Sequence, residues 1–368
     1  MQHQFDLKTT STPNHRFENI DALRGLAASL VVWMHGSEIF VGLPGIEGRG
    51  AWLYEAASVA DLGLVGVVAF FLISGFVIPH SLHGDVRGGI RRFGIRRFFR
   101  LFPAFWLSIP LGYAAVWVLW KRPFDMRDVL ANVTMVPAVF SREAAMGLYW
   151  TLETELVFYL LITVLFALGV LQRPAVLLGI LLSLLAVTGL QRLGLLSRPE
   201  LSQWAQIPFS LALMFCGSLC RYAMDGARDA TSSPDQRKRA IFFGLIALFA
   251  ISTASVAIIL IGRSPRAENL GAAYLLGIAL FIATVLVLQR PPVALAWLGT
   301  ISYSLYLLHP VVLYVMAWVL THVVNVSAPF GVGTLLIFLG AGSIALAASS
   351  YYAVELPAIN VARRLTSR

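Results

Sequence analysis

Long apolar runs alternate with short polar segments along the whole chain. Ten runs approach the ~20 residues that a helix needs to cross the hydrocarbon core of a bilayer. They lie at 22–41, 59–78, 101–120, 150–170, 175–191, 207–225, 241–262, 270–288, 294–320 and 332–353. The ninth run is longer and is expected to begin with an interfacial stretch ahead of "ISYSLYLLHPVV". The connections leave no room for a soluble domain, so the pattern predicts an all-α polytopic membrane bundle of about ten transmembrane helices.

The composition supports the same class. Hydrophobic residues make up 58% of the 368 residues and charged residues only 13%, against the ~25% that soluble domains carry. In a soluble protein a net charge of +9 would suggest nucleic acid, but here the positive-inside rule and anionic lipid account for it, and no nucleic-acid partner is expected. Cys216 and Cys220 form neither a metal motif nor a disulfide framework. The first 20 residues are polar, so no cleavable signal peptide is expected.

The distribution of basic residues predicts the orientation. With both termini in the cytoplasm, the inner segments hold 19 of the 28 lysines and arginines, which is the bias that the positive-inside rule describes. The segment "RGGIRRFGIRRFFR" carries most weight and should be cytoplasmic. We therefore expect a cytoplasmic tail at 1–18, a membrane domain at 19–360 and a second cytoplasmic tail at 361–368.

The first helix carries ionisable residues in an apolar setting. His35 lies 11 residues after Arg24, close to three helical turns, so the two side chains share a face about 16 Å apart in depth. A neutral imidazole is the usual general base near pH 7, which makes His35 a candidate for catalysis. The alternative is a histidine that only hydrogen-bonds a neighbouring helix.

The second predicted helix contains small residues, and a basic segment follows it. Gly66, Ser74 and Gly75 give the second helix a closely packing face, and Asp61 ahead of that helix is expected to be solvated. The run "RRFGIRRFFRLFP" then holds five arginines, and Pro103 is expected to begin the third helix. The arginines act either as a topology signal on anionic lipid or in bidentate phosphate recognition.

Later spans add carboxylates and a second histidine. Glu153 is expected in solvent or at the helix dipole, whereas Glu155 lies one turn deeper. Ser302, Tyr303, Ser304 and Tyr306 lead to His309, and Pro310 is expected to bend the helix and free backbone carbonyls. Glu355 reads as an interfacial residue. Trp52 and Tyr54 either stack on a sugar ring or belong to the interfacial aromatic belt.

Six of these stretches, in this order, resemble the acyltransferase-3 family, the bacterial integral-membrane O-acyltransferases that modify surface glycans and some small molecules. They are "IDALRGLAASLVVWMHG", "GVVAFFLISGFVI", "RRFFRLFPAFW", "YWTLETELVFYLL", "ISYSLYLLHPVV" and "VELP". The resemblance covers about residues 17–360. It implies a bundle in the bacterial inner membrane without the periplasmic hydrolase-like domain that some relatives append.

The resemblance also implies roles for individual residues. The family's essential histidine falls on His35 and the arginine upstream falls on Arg24. The basic run thought to meet the donor's phosphates falls on Arg96, Arg97 and Arg100, with Ser74 as a further donor-site candidate. The W-x-L-x-x-E-x-x-F-Y signature falls on Trp150, Leu152, Glu155, Phe158 and Tyr159, with Thr151 where many members have serine. Tyr303, His309 and Glu355 complete the candidate set.

These roles predict a reaction. Acyl-CoA, most simply acetyl-CoA, is the co-substrate, no bound cofactor or metal is needed, and the acceptor is a hydroxyl of a glycan or lipid-linked saccharide. His35 acts as general base or carries the acyl group, and Glu155 is expected between His35 and the outer face. The alternatives are a proton-coupled transporter, since intramembrane His and Glu also mark such carriers, and a non-catalytic membrane scaffold.

Overall fold

All regular elements in the described part of the chain are helical. The structure, a computed structural model, describes residues 18–43, 46, 48–196, 206–229, 231, 233–261, 265–288, 290–323 and 330–367. The α-helices are α1 (Glu18–Val41), α2 (Trp52–Ser58), α3 (Leu62–Val77), α4 (Val86–Gly112), α5 (Met126–Val133), α6 (Trp150–Ala167), α7 (Pro174–Arg192), α8 (Ile207–Arg228), α9 (Pro234–Ile261), α10 (Pro265–Val287), α11 (Val293–Thr300), α12 (Ser302–His322), α13 (Val332–Ser350) and α14 (Leu356–Thr366). Most of the predicted tail at 1–18 lies outside the described residues.

Nine helical stretches in the described ranges are long and apolar enough to cross a membrane, which confirms the all-α polytopic bundle. They contain α3, α4, α6, α7, α8, α9, α10, α12 and α13. Helix α1 is not among the nine, although its 24 residues give a length of about 36 Å. It packs against α3, α10, α11, α12 and α13. The first predicted span, at 22–41, is therefore a helix that packs within the bundle.

The third predicted helix begins earlier than its apolar run suggests. Pro103 does not start it, because α4 already begins at Val86, where a carboxylate oxygen of Asp85 accepts the Gly88 N–H at 2.7 Å. Six arginines between 87 and 100 therefore lie on a continuous helix. A search for apolar runs misses these turns because they are charged. We call the end of the bundle where α4 begins the basic end.

The ninth predicted run is divided as expected. The short helix α11 precedes α12, and Ile301 forms the junction between them. Helix α12 continues through Pro310. Because proline has no N–H, the carbonyl of Tyr306 four residues earlier loses its helical donor. This carbonyl becomes part of the candidate site.

Close helix contacts fix the centre of the bundle. A Cβ atom at Gly75 of α3 would collide with the Met214 backbone of α8, and one at Gly217 would collide with the Leu72 carbonyl. The Ser218 hydroxyl donates to the Gly75 carbonyl at 3.0 Å. Gly66 likewise allows α3 to approach Ala27 of α1. Small residues therefore hold α1, α3 and α8 together, in line with the predicted packing face.

Candidate active site

Two histidines from distant parts of the sequence meet at the centre of the bundle. Nδ1 of His35 on α1 lies 2.9 Å from Nε2 of His309 on α12, across 274 residues of sequence. Their rings stack with centroids 5.2 Å apart. His309 is fully buried, whereas His35 keeps part of its surface accessible. The structure thus pairs the two histidines that the sequence analysis singled out separately.

The hydrogen-bond partners of the pair define its tautomers. Nδ1 of His309 lies 2.8 Å from the Tyr306 carbonyl, which Pro310 leaves without a helical donor, and 3.3 Å from the Leu305 carbonyl. Carbonyl oxygens only accept, so Nδ1 of a neutral His309 carries the proton and Nε2 is an acceptor. His35 then donates from Nδ1. Its Nε2 is consequently the unprotonated nitrogen, with a lone pair available as a base.

His35 lines a large cavity with a mixed polar and apolar wall, which we call the outer cavity. It has a volume of about 840 Å³ and lies toward the end of the bundle opposite to the basic end. Polar side chains from four parts of the chain line it together with His35, namely Glu38, Tyr54, Asp61 and Asn269. Trp150, a residue of the predicted signature, also lines it. The candidate base therefore faces a space large enough for a substrate.

A smaller cavity, the inner cavity, lies toward the basic end. Its volume is about 70 Å³, and its lining includes Arg24, Ser74, Glu155 and Tyr303, all predicted site residues. Nε of Arg24 is buried and has no hydrogen-bond partner among the described residues. An unpartnered buried donor is costly, and a ligand carbonyl would relieve it.

Val67 and Tyr306 line both cavities. The Tyr306 hydroxyl is 3.0 Å from the Thr151 hydroxyl, and the Tyr306 ring packs edge-on against Phe70. The same residue supplies the carbonyl that holds His309. Tyr306 thus forms the wall between the cavities and also anchors the histidine pair.

A chain of contacts links the inner cavity to the arginines of α4. The Tyr159 hydroxyl donates to Glu155 at 2.5 Å. The guanidinium of Arg97 lies 5.5 Å from the centroids of both the Tyr159 and the Phe93 rings, and it donates to the Ser81 hydroxyl at 3.3 Å. Arg97 and the inner cavity are therefore parts of one connected region.

Comparison with known protein families identifies the family of the chain. A family model described as an acyltransferase domain matches residues 17–354. The chain belongs to the acyltransferase-3 family. The protein is accordingly a multi-pass membrane acyltransferase. Among curated proteins and solved structures, no match to the chain was found.

The three arginines predicted for the donor of this acyltransferase do not point together. Nε of Arg96 donates to the Thr366 hydroxyl of α14 at 3.0 Å. Arg100 lies close enough to act electrostatically on Arg24 and Glu355 and, together with Arg97, on Tyr159. Successive helical residues are ~100° apart, so Arg96 and Arg97 cannot share a face. Arg97 and Arg100 border the inner cavity region, whereas Arg96 fastens the C-terminal helix.

Three carboxylates of the acyltransferase lie elsewhere than expected. Glu155 does not lie between His35 and the outer face, because it lines the inner cavity with Arg24. Glu153 is 6% exposed rather than solvated, and it accepts the Ala138 N–H at 3.4 Å. Glu355 is buried rather than interfacial and accepts from Ser304 at 2.9 Å. Sequence spacing gives the depth of a side chain on its own helix but not the neighbour that covers it.

Sequence reasoning missed several residues of the site. Tyr306 was noted only as part of a motif, Glu38 was not singled out, and Asp61 was assigned to solvent although it lines the outer cavity. The position of Glu38 three residues after His35, on the same face of α1, was the signal that could have found it. Of the two aromatics left open, Tyr54 lines the outer cavity and Trp52 is 64% exposed.

Proposed function

We propose that this acyltransferase moves an acyl group, most simply acetyl, from acyl-CoA to a hydroxyl of a glycan or lipid-linked saccharide. The histidine pair is the observation that supports this proposal most. His309 fixes the ring of His35 through a 2.9 Å hydrogen bond, and the unprotonated Nε2 belongs to a ring that lines the outer cavity. A base oriented by a second group is the arrangement that activates a hydroxyl for acyl transfer.

The chemical steps follow from this arrangement. Nε2 of His35 takes the proton of the acceptor hydroxyl while the oxygen attacks the thioester carbonyl. The new C–O bond forms, the C–S bond breaks, and the imidazolium returns its proton to the departing CoA thiolate. His309 accepts a hydrogen bond from Nδ1 throughout, which keeps the ring oriented. In the alternative route, His35 Nε2 attacks the thioester carbonyl, the C–S bond breaks and CoA leaves as the thiolate, which gives an acyl-imidazole. The acceptor oxygen then attacks this acyl group, the C–N bond breaks, and the hydroxyl proton goes to the thiolate.

The inner cavity suits the donor. Arginine binds phosphate through its planar fork, so Arg97 and Arg100 are suited to the phosphate groups of CoA. The unpartnered Arg24 Nε can donate to an amide carbonyl of the pantetheine arm. Ser74 and Tyr303 line the same narrow space. The thioester would pass Val67 and Tyr306 to reach His35.

The predicted orientation of the bundle supports binding of the two substrates from opposite sides of the membrane. With the basic end in the cytoplasm, as the positive-inside rule predicts, acyl-CoA arrives from the cytoplasm. The acceptor then enters the outer cavity from the outer side of a bacterial inner membrane. This arrangement moves an acyl group across the membrane without moving CoA.

The test is CoA release by purified protein in nanodiscs with acetyl-CoA and a panel of glycans. We expect acceptor-dependent thiol release in the wild type and a loss of at least about a hundredfold in His35→Ala. Thermal unfolding of both proteins controls for folding. Equal release in the two folded proteins would remove His35 from the mechanism. Binding of acetyl-CoA with proton uptake but no thiol release would favour a carrier instead.

A further inference from the structure

The charged residues described on the wall of the outer cavity are all acidic. Among its described lining residues, Glu38 and Asp61 are carboxylates and none is a lysine or arginine. Arg122 contacts the ring of Tyr314, 5.9 Å from the centroid, but does not itself line the cavity. The described part of the cavity wall therefore does not share the excess of basic residues found in the chain as a whole.

Glu38 is placed next to the reacting position. It lies three residues after His35 on α1, so the Cβ atoms of the two residues are about 5–6 Å apart. A hydroxyl group in contact with His35 Nε2 would lie within reach of the Glu38 carboxylate. Any anionic group beside that hydroxyl would lie equally close and would be repelled.

Asp61 is held in a conformation that glycine would adopt more easily. Its backbone has φ 43° and ψ 72°, in the left-handed region. One carboxylate oxygen accepts the Leu64 N–H at 3.0 Å and caps α3. This bond fixes the position of the carboxylate, which lines the outer cavity. Among the described residues, no hydrogen-bond partner was found for the second oxygen, which can therefore accept from a ligand.

The rest of the lining suits a sugar ring. Asn269 donates to the Ser58 carbonyl at 3.1 Å, which orients its amide and leaves the amide oxygen as an acceptor for hydroxyl groups. Tyr54 and Trp150 add flat apolar surfaces with polar edges, which match the C–H faces and hydroxyl rim of a sugar. Carboxylate and amide oxygens beside aromatic faces form a site for a polyhydroxylated molecule.

We propose that the outer cavity accepts an uncharged sugar ring, and that Glu38 and Asp61 exclude acceptors with a carboxylate or phosphate beside the reacting hydroxyl. The two carboxylates accept hydrogen bonds from hydroxyl groups of a neutral ring. An anionic ring meets these two like charges, and none of the described lining residues is a lysine or arginine that would offset them. This inference rests on the function proposed above.

The experiment compares three acceptors of nearly equal size, methyl glucoside, methyl glucuronide and methyl glucosaminide, with acetyl-CoA as donor. In the wild type we expect kcat/KM for the glucoside to exceed that for the glucuronide at least about tenfold. In the double variant Glu38→Gln and Asp61→Asn, the value for the glucuronide should rise and that for the glucoside should fall. Asparagine preserves the helix cap, so the double variant should fold.

A matched control is Glu55→Gln, which removes an exposed carboxylate on α2 beside the cavity residue Tyr54. It should leave the glucoside-to-glucuronide ratio as in the wild type. Equal use of the two sugars by the wild type, transfer to the glucosaminide alone, or an unchanged ratio in the double variant would overturn the proposal. Absence of CoA release with every acceptor would instead contradict the proposed acyl transfer.

Discussion

The two cavities that meet at Tyr306 differ in size, charge and partners. The inner cavity, about 70 Å³, contains Arg24 beside Glu155, whereas the outer cavity, about 840 Å³, contains Glu38 and Asp61 and no lysine or arginine among its described lining residues. The narrow space suits one extended arm that is the same in every donor molecule. The wide space suits a bulkier acceptor. With donor and acceptor bound as proposed, donor recognition would depend on fit and phosphate charge, and acceptor recognition on hydrogen bonding.

The largest expected loss of activity comes from replacing His309, which holds the proposed base His35 in place. Replacing His309 with leucine removes the acceptor of the His35 Nδ1–H bond, and we expect kcat to fall about a hundredfold because the ring is no longer held in place. His309→Gln places an amide oxygen near the position of Nε2 and should restore about a tenth of wild-type activity or more. Equal rates in the leucine and glutamine variants would show that the pair has no orienting role.

The proposed binding of acyl-CoA can be tested by replacing arginines that differ in their contacts. Changing Arg97 and Arg100 together to glutamine should raise the KM for acetyl-CoA about ten- to a hundredfold, because two phosphate-binding cations are lost. Arg96→Gln, which loses the bond to Thr366, should change this KM less than about threefold. Donor KM is measured at fixed acceptor and low salt. A double variant with wild-type KM would show that the phosphates bind elsewhere.

The role of Tyr306 as the wall between the cavities can be tested by measuring hydrolysis of the thioester. Tyr306→Ala removes the ring that separates the two spaces, so water from the outer cavity should reach the thioester. We expect the ratio of acceptor-independent CoA release to acyl transfer to rise about tenfold, since excluding water protects reactive groups. Thr151→Ser keeps the hydroxyl that bonds Tyr306 and should retain the wild-type ratio. A wild-type ratio in Tyr306→Ala would mean that Tyr306 does not seal the passage.

The smallest expected effect is on the preference of the enzyme for the length of the acyl group. Val67→Ala widens the passage between the cavities, and we expect the kcat/KM of butyryl-CoA relative to acetyl-CoA to rise about threefold, which corresponds to the space of one or two methylene groups. Val68→Ala deletes the same atoms from a buried neighbour on α3 that lines neither cavity. It should destabilise the protein but leave the acyl preference as in the wild type. If both variants changed the acyl preference equally, the change would be due to loosened packing and not to a wider passage.

The fold could be largely predicted from the sequence. Apolar runs of the right length identify helices without reference to their neighbours, and α12 shows that even the break before "SYSLYLLHP" could be anticipated. The candidate site could be predicted only in part. His35, Arg24 and His309 were found because ionisable groups in apolar helices are conspicuous. Asp61 and Glu38 were missed because a polar residue near a helix end looks ordinary in a linear sequence.

The sequence by itself determined which segments are helices, which helix ends are charged and which helices carry ionisable residues. Each of these properties depends on residues close together in the chain, through hydrophobic period and length. Only the tertiary structure decided that His35 pairs with His309, that Glu155 faces Arg24, and that the outer cavity is acidic. Those properties depend on which helices are neighbours and how each is rotated, and small residues such as Gly66 and Gly75 fix that packing through contacts between distant segments.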